Sequence, residues 1–250
     1  MIKIVTVATE RRMYMKWLEM SCEKNQTNLI ILGMGEPWQG YMTKYFKMIE
    51  FLNTCDDEDV ICFVDAYDVL MLKNANLLRE AFVDTVENTN YKIIVANESI
   101  EEFDQLSKVL NDEMWRIIFK SENTEIQINS GTYMGYAKDL KEIILEMISY
   151  NERDDQTALN MYFNKNREFV FVDREKTFFH VSMAIEDTFQ PLYNSFFIHR
   201  HACKSMVNLI KGQGYEITKE EEISLVRETV NYFSKKVLHY FNELLFMNSR

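Results

Sequence analysis

The sequence predicts an α/β fold in which a mostly parallel central sheet is flanked on both faces by helices. Short, largely apolar runs alternate with longer segments whose apolar residues recur at helical intervals. Strands of that kind belong in a sheet buried on both sides, and the alternation is the βαβ rhythm that builds one. The 250 residues, 47% apolar and 27% charged, supply ample chain for a full core of ordinary globular composition.

Taken in order, residues 2–8 (IKIVTVA) and 28–32 (NLIIL) read as strands. Between them, 11–24 carries Met13, Trp17, Met20 and Cys22 at helical intervals. Residues 41–54 form a second helix with Tyr45, Met48, Ile49 and Leu52 on one side. A strand at 60–64, a helix near 75–87 and a strand at 91–96 (YKIIVA) follow. A helical region near 101–118 leads to a strand at about 126–136, then to helices at 138–149 and 155–163. Strand-like runs close the body at 169–173 and 195–198. From 221 to 247, Ile223, Val226, Val230, Phe233, Val237, Tyr240, Leu244 and Met247 alternate three-four spacing, a heptad seam. The expected organisation is a body of 1–215 and a C-terminal helical extension of 216–250. The extension packs on the body or pairs with a second copy as a homodimer.

Composition narrows the partners. A net charge of −11 disfavours nucleic acid and anionic lipid, so a phosphate-bearing ligand needs local cations or a metal. The four cysteines show no paired spacing, which argues against a disulfide framework or a thiolate zinc site. MIKIVTVAT reads as a first strand, not a signal peptide, and no run approaches the roughly 18 apolar residues of a membrane span. A soluble, cytoplasmic protein without membrane or nucleic-acid partners is expected, in a host's cytoplasm if the source is a virus. With two prolines and seven glycines in the chain, the glycines mark positions where the backbone needs them.

ICFVDAYDVLM (61–71) ends a buried strand in two carboxylates, Asp65 and Asp68. In such sheets ligands sit beyond the carboxyl ends of the strands, and two acids this close are best tolerated with a cation between them. An ordinary acidic turn also fits, because the spacing alone is unspecific. NSGTYMGYA (129–137) brings an amide, a hydroxyl and two glycines together. NERDDQ (151–156) places acids before a helix, where they can also cap it, and FFIHRHACK (196–204) ends an apolar run in two histidines and a lysine. The D-x-x-D spacing argues against an aspartyl-phosphate phosphatase, whose chemistry wants D-x-D.

These pieces, in this order, resemble the glycosyltransferase domain of the procollagen lysyl hydroxylase/glycosyltransferase family over residues 2 to about 205. IVTVAT, ILGMGEPWQG, FVDAYDVL, INSGTYMGYA, DDQ and FFIHRH each match one of its segments. The resemblance implies a GT-A type, Rossmann-like fold that binds a UDP-sugar through a divalent cation, usually Mn2+. It implies Asp65, Asp68 and His199 as metal ligands. Tyr67 would stack on uracil, or else serve as a core tyrosine; Val7 and Thr9 would contact the uridine, and Lys44 and Lys204 the phosphates. Asn129, Ser130, Asp154 and Asp155 would meet the donor sugar and the acceptor. The implied reaction is retaining transfer of glucose from UDP-glucose to galactosylhydroxylysine of collagen or a collagen-like protein. Another donor or acceptor, for instance a galactosyltransferase activity, and a non-catalytic scaffold binding nucleotide-sugar or collagen are the alternatives. The family's H-G-N-G becomes His199-Arg-His-Ala, which leaves His201 open as the ligand. NESIEEF (97–103) replaces a C-W-P stretch, and the iron dioxygenase domain is missing, so lysine hydroxylation is not expected.

Overall fold

The computed structural model describes residues 1–98, 113, 116–122, 126–181, 194–200 and 205–247. Strand β1 (Ile2–Val7) leads through a loop to helix α1 (Met15–Lys24), then to β2 (Leu29–Leu32) and α2 (Thr43–Leu52). Strands β3 (Val60–Val64) and β4 (Val69–Met71) precede α3 (Ala75–Val86) and β5 (Ile93–Asn97). Strand β6 (Ile128–Tyr136) runs directly into α4 (Ala137–Ser149), and α5 (Asp155–Lys165) follows. The chain continues through β7 (Val170–Asp173), β8 (Phe179–Val181), β9 (Phe197–His199), α6 (Val207–Gly212) and α7 (Lys219–Met247).

Six strands form the main sheet in the order β2-β1-β3-β6-β5-β7. β1 pairs in parallel with β2 and β3, and β5 with β7, whereas β6 runs antiparallel to both neighbours. The period of two explains why every position of β3 is buried. Ile61 and Phe63 join the core under α2, α4 and α5, while Val60, Cys62 and Val64 join the core on the other face. A smaller sheet, β4-β9-β8, lies beyond the end of β3. β4 follows β3 after the four residues 65–68, so that turn bridges the two sheets.

Helix α1 begins at Met15, later than its apolar spacing suggests, because Met13 takes a left-handed φ of 48° that a helix cannot include. The helix expected near 101–118 lies mostly outside the described residues. In α7, Ile223, Val226 and Val230 are exposed, while Leu225 and Thr229 are buried against the body. The apolar seam is therefore displaced by a residue or two from the stripe that docks. The side chains of Phe233, Val237, Tyr240, Leu244 and Met247 lie outside the described residues. Among the described residues no helix is long and apolar enough to cross a membrane.

Candidate active site

The junction between the sheets sets the site. Asp65 follows the carboxyl end of β3, a central strand of the main sheet, and Asp68 immediately precedes β4 of the smaller one. Val69 pairs with His199 across β4 and β9, and Arg200 N–H donates to the Asp68 carbonyl at 2.8 Å. That register brings His199, distant in sequence, beside both acids. Its Nε2 lies 3.3 Å from Asp68 Oδ1 and 4.0 Å from Asp65 Oδ2. Asp68 and His199 are buried, whereas Asp65 is partly exposed.

Strand β6 is bent to make room for this cluster. Its pairing with β5 jumps from Val95↔Tyr133 to Ala96↔Asn129, so residues 130–132 are extra on the β6 side. On the other side, Thr132 still pairs with Val64, and Asp65 N–H donates to Gly131 O at 2.7 Å. Helix α5 holds the bulge through Gln156. Its Oε1 accepts from Ser130 N–H at 2.8 Å, and its Nε2 donates to Ile128 O at 2.6 Å. Gly131 lies so close that a Cβ there would sit 2.5 Å from Asp65 Oδ2 and 2.5 Å from His199 Cε1. The main chain has to be bare at this point.

A second layer of charge surrounds the first. Lys44, from α2, places Nζ 2.9 Å from Asp65 Oδ1 and 2.7 Å from Asp155 Oδ2. Burial works against its ammonium, but Asp155 and Asp65 outweigh that and hold its pKa well above the usual lysine value. The Tyr45 hydroxyl donates to the Asp155 carbonyl at 3.0 Å, fixing the start of α5. Asn129 is oriented from both ends: its Nδ2 donates to Glu98 at 2.7 Å and its Oδ1 accepts from Gly131 N–H at 2.8 Å. Burial disfavours the His199 imidazolium, yet Asp68, Asp65 and Glu98 outweigh burial and raise its pKa above the ordinary value.

The expected residues are distributed as follows. Asp65, Asp68 and His199 converge, and Asp155 and Lys44 adjoin them. Asp154 caps α5, its Oδ1 accepting from Thr157 N–H at 2.9 Å, so the two neighbouring acids have separate duties. Val7 is buried at the end of β1, and Thr9 follows it, its carbonyl accepting from Gly35 N–H at 2.9 Å. Tyr67 is partly exposed; its hydroxyl donates to Glu10 O at 2.9 Å and the Arg12 guanidinium lies over its ring. Ser130 contributes its backbone N–H to the bulge. His201 and Lys204 lie outside the described residues. Sequence reasoning missed Glu98, a buried acid one residue past β5. Its position at a strand's carboxyl end was the available signal.

The three ligand atoms of Asp65, Asp68 and His199 lie within 4.8 Å of one another. Two carboxylates and an imidazole are a donor set suited to a divalent first-row ion, and the bare backbone at Gly131 keeps the space between them open. Comparison with known proteins then decides the assignment. The family model for the PLOD GT domain matches residues 1–236. The chain belongs to this family. It is also 25% identical, over 97% of its length, to the multifunctional procollagen lysine hydroxylase and glycosyltransferase of Caenorhabditis elegans, and spans 38% of that protein.

Two solved glycosyltransferases share the fold of this PLOD-type domain. One takes part in glycosylating the major capsid of PBCV-1, with TM-score 0.55 and 14% identity, covering 86% of this chain and 99% of its own. The other is the galactosyltransferase LgtC with donor and acceptor sugar analogues, at TM-score 0.51 and 14% identity, covering 88% and 98%. The protein is thus a glycosyltransferase of PLOD type with a GT-A-like fold. Enzymes of this fold use a nucleotide-sugar donor and a divalent metal, and the Asp–Asp–His cluster is compatible with both.

Proposed function

We propose that this PLOD-type domain transfers glucose from UDP-glucose to galactosylated hydroxylysine of collagen or a collagen-like chain, with retention at the anomeric carbon and Mn2+ as its metal. The convergence of Asp65, Asp68 and His199 carries this reading, because three residues from two sheets meet where α/β folds bind ligands. These three would hold the ion. When bound, it neutralises the diphosphate and stabilises UDP as the leaving group. Tyr67, Val7 and Thr9 offer a surface for the uridine next to that cluster. Lys44, 2.7 Å from Asp155 Oδ2, fixes that carboxylate in place, where it can accept hydrogen bonds from sugar hydroxyls. Asn129 presents an amide whose orientation Glu98 and the Gly131 N–H already determine, so little ordering remains for substrate binding. In a front-face reaction the departing diphosphate takes the acceptor's proton, and no separate protein base is required.

The test is UDP release from a panel of UDP-sugars, with and without Mn2+, using galactosylhydroxylysyl peptide and galactose-free controls. UDP-glucose with the galactosylated peptide is the expected pair. Asp68→Ala should lower its turnover by at least about a hundredfold. Turnover unchanged in that variant, or independent of divalent metal, would remove the proposed centre; preference for another UDP-sugar would replace glucose.

A further inference from the structure

The loop between β1 and α1 is shaped from outside by the C-terminal helix. Met13, in its left-handed conformation, donates its N–H to Glu228 Oε2 at 2.8 Å. The buried Tyr14 hydroxyl shares a hydrogen bond with Thr229 Oγ1 at 3.1 Å. Leu225 packs with Met13, Tyr14 and Trp17, and at the rim Lys16 pairs with Glu221 at 2.9 Å. Four points along α7 thus hold residues 13–17 in place.

The contact continues past what docking requires. One turn beyond Thr229, partly exposed Tyr232 covers the Arg12 guanidinium, whose Cζ lies 5.5 Å from the Tyr232 ring centroid and 4.6 Å from that of Tyr67. Tyr67 is the residue between Asp65 and Asp68. Burial, with added repulsion from Asp68 and Asp65, raises the pKa of the Tyr232 hydroxyl, which places α7 within electrostatic reach of the acid pair. Arg12 Nε is buried with no hydrogen-bond partner among the described residues. Its ion pair is with Glu10, 63% exposed, at 3.2 Å, a contact of little energetic weight. Lys44, by contrast, is already engaged by two carboxylates. The two rings orient the guanidinium, which also hydrogen-bonds the Tyr67 side chain, and its remaining N–H groups can turn to an anion.

We propose that Arg12, gripped between Tyr67 and Tyr232, binds the diphosphate of the nucleotide donor, and that the C-terminal helix is therefore one wall of the donor site. Arg12 touches the ligand, and Tyr232 is a positioning residue acting through it. The inference rests on the nucleotide-sugar reading above and adds a cation beside Tyr67, between the two acids of the proposed metal site.

The experiment titrates the full chain, with Mn2+ present, against UDP by calorimetry and against uridine by NMR. Arg12→Ala should weaken UDP binding about tenfold or more and change uridine binding by no more than about twofold. Arg12→Lys should recover part of the loss. Tyr232→Ala should weaken UDP binding in the wild-type background but add little to Arg12→Ala, because the two act as a unit. Melting curves accompany each variant, and Arg12→Gln replaces alanine should that variant fail to fold. UDP affinity unchanged in Arg12→Ala, equal losses of UDP and uridine, or additive effects of Arg12 and Tyr232 would each overturn the proposal. A wild-type chain that binds neither ligand would instead sink the nucleotide reading, and this inference with it.

Discussion

A hydrogen atom at Gly131 is what lets Asp65 and His199 approach each other. A methyl there would come within 2.5 Å of both side chains, so one of them has to turn away. Gly131→Ala is therefore expected to weaken Mn2+ binding by at least about tenfold while leaving the β3–β6 pairing intact, as metal titration and far-ultraviolet circular dichroism would show. Its φ is not left-handed, so the effect is one of space and not of backbone strain. His199 makes a second prediction. The neighbouring acids raise its pKa, and only the neutral imidazole can bind a metal. Apparent Mn2+ affinity should consequently fall as the pH drops through that raised value, and titrations across pH 5 to 8 would read it; a flat profile would exclude His199 as a ligand. At this scale the sequence singled out Asp65 and Asp68 by their place at the end of a buried strand, but an ordinary acidic turn fitted that spacing too, and only the β4–β9 register sets His199 beside them. The sequence could not separate Asp154 from Asp155, since both lie at the start of the same helix and only the backbone decides which one caps it. Nor could it show that Lys44 spends its charge on two carboxylates.

Among the elements, main-sheet strands such as β3 and β5 were readable because burial on both faces leaves a nearly unbroken apolar run. Of the small sheet only β9 was, through the apolar run at 195–198. Three-residue strands such as β4 and β8 are too short to show a period, and their pairing with β9 depends on the register of the whole chain. Asp173 shows how that sheet is attached. Its carboxylate accepts from the N–H groups of Thr177, Phe178 and Phe179, at 2.9, 2.7 and 2.8 Å, and so ties the end of β7 to the start of β8. Burial pushes its carboxyl pKa up, although those three bonds oppose the shift. Asp173→Ala would leave three donors unsatisfied at a cost of about 3 kcal/mol, visible as a lower denaturation midpoint without change in slope. Helix α7 illustrates the limit of pattern reading. Its heptad spacing announced a helix correctly, yet the docked stripe passes through Leu225, Thr229 and Tyr232, where a threonine and a tyrosine hide among the polar positions.

For the molecule as a whole, the matched family segments are spread in order along most of the chain, which is why the overall architecture was legible from residues far apart in it. Ligand linkage offers a global test. An ion held only by the folded state stabilises it by about 2.7 kcal/mol at a hundredfold excess over its Kd. Mn2+ should accordingly raise the melting temperature of the wild type, EDTA should reverse the rise, and Asp68→Ala should abolish it. The turn at 65–68 belongs to the main sheet at one end and to β4 at the other, while His199 reaches it from β9. An ion seated there would act as a rivet between two otherwise separately laddered layers. Amide exchange in β4 and β9 should then slow far more than exchange in β1 or β5, so that the bound ion would also govern how often the smaller layer breathes open.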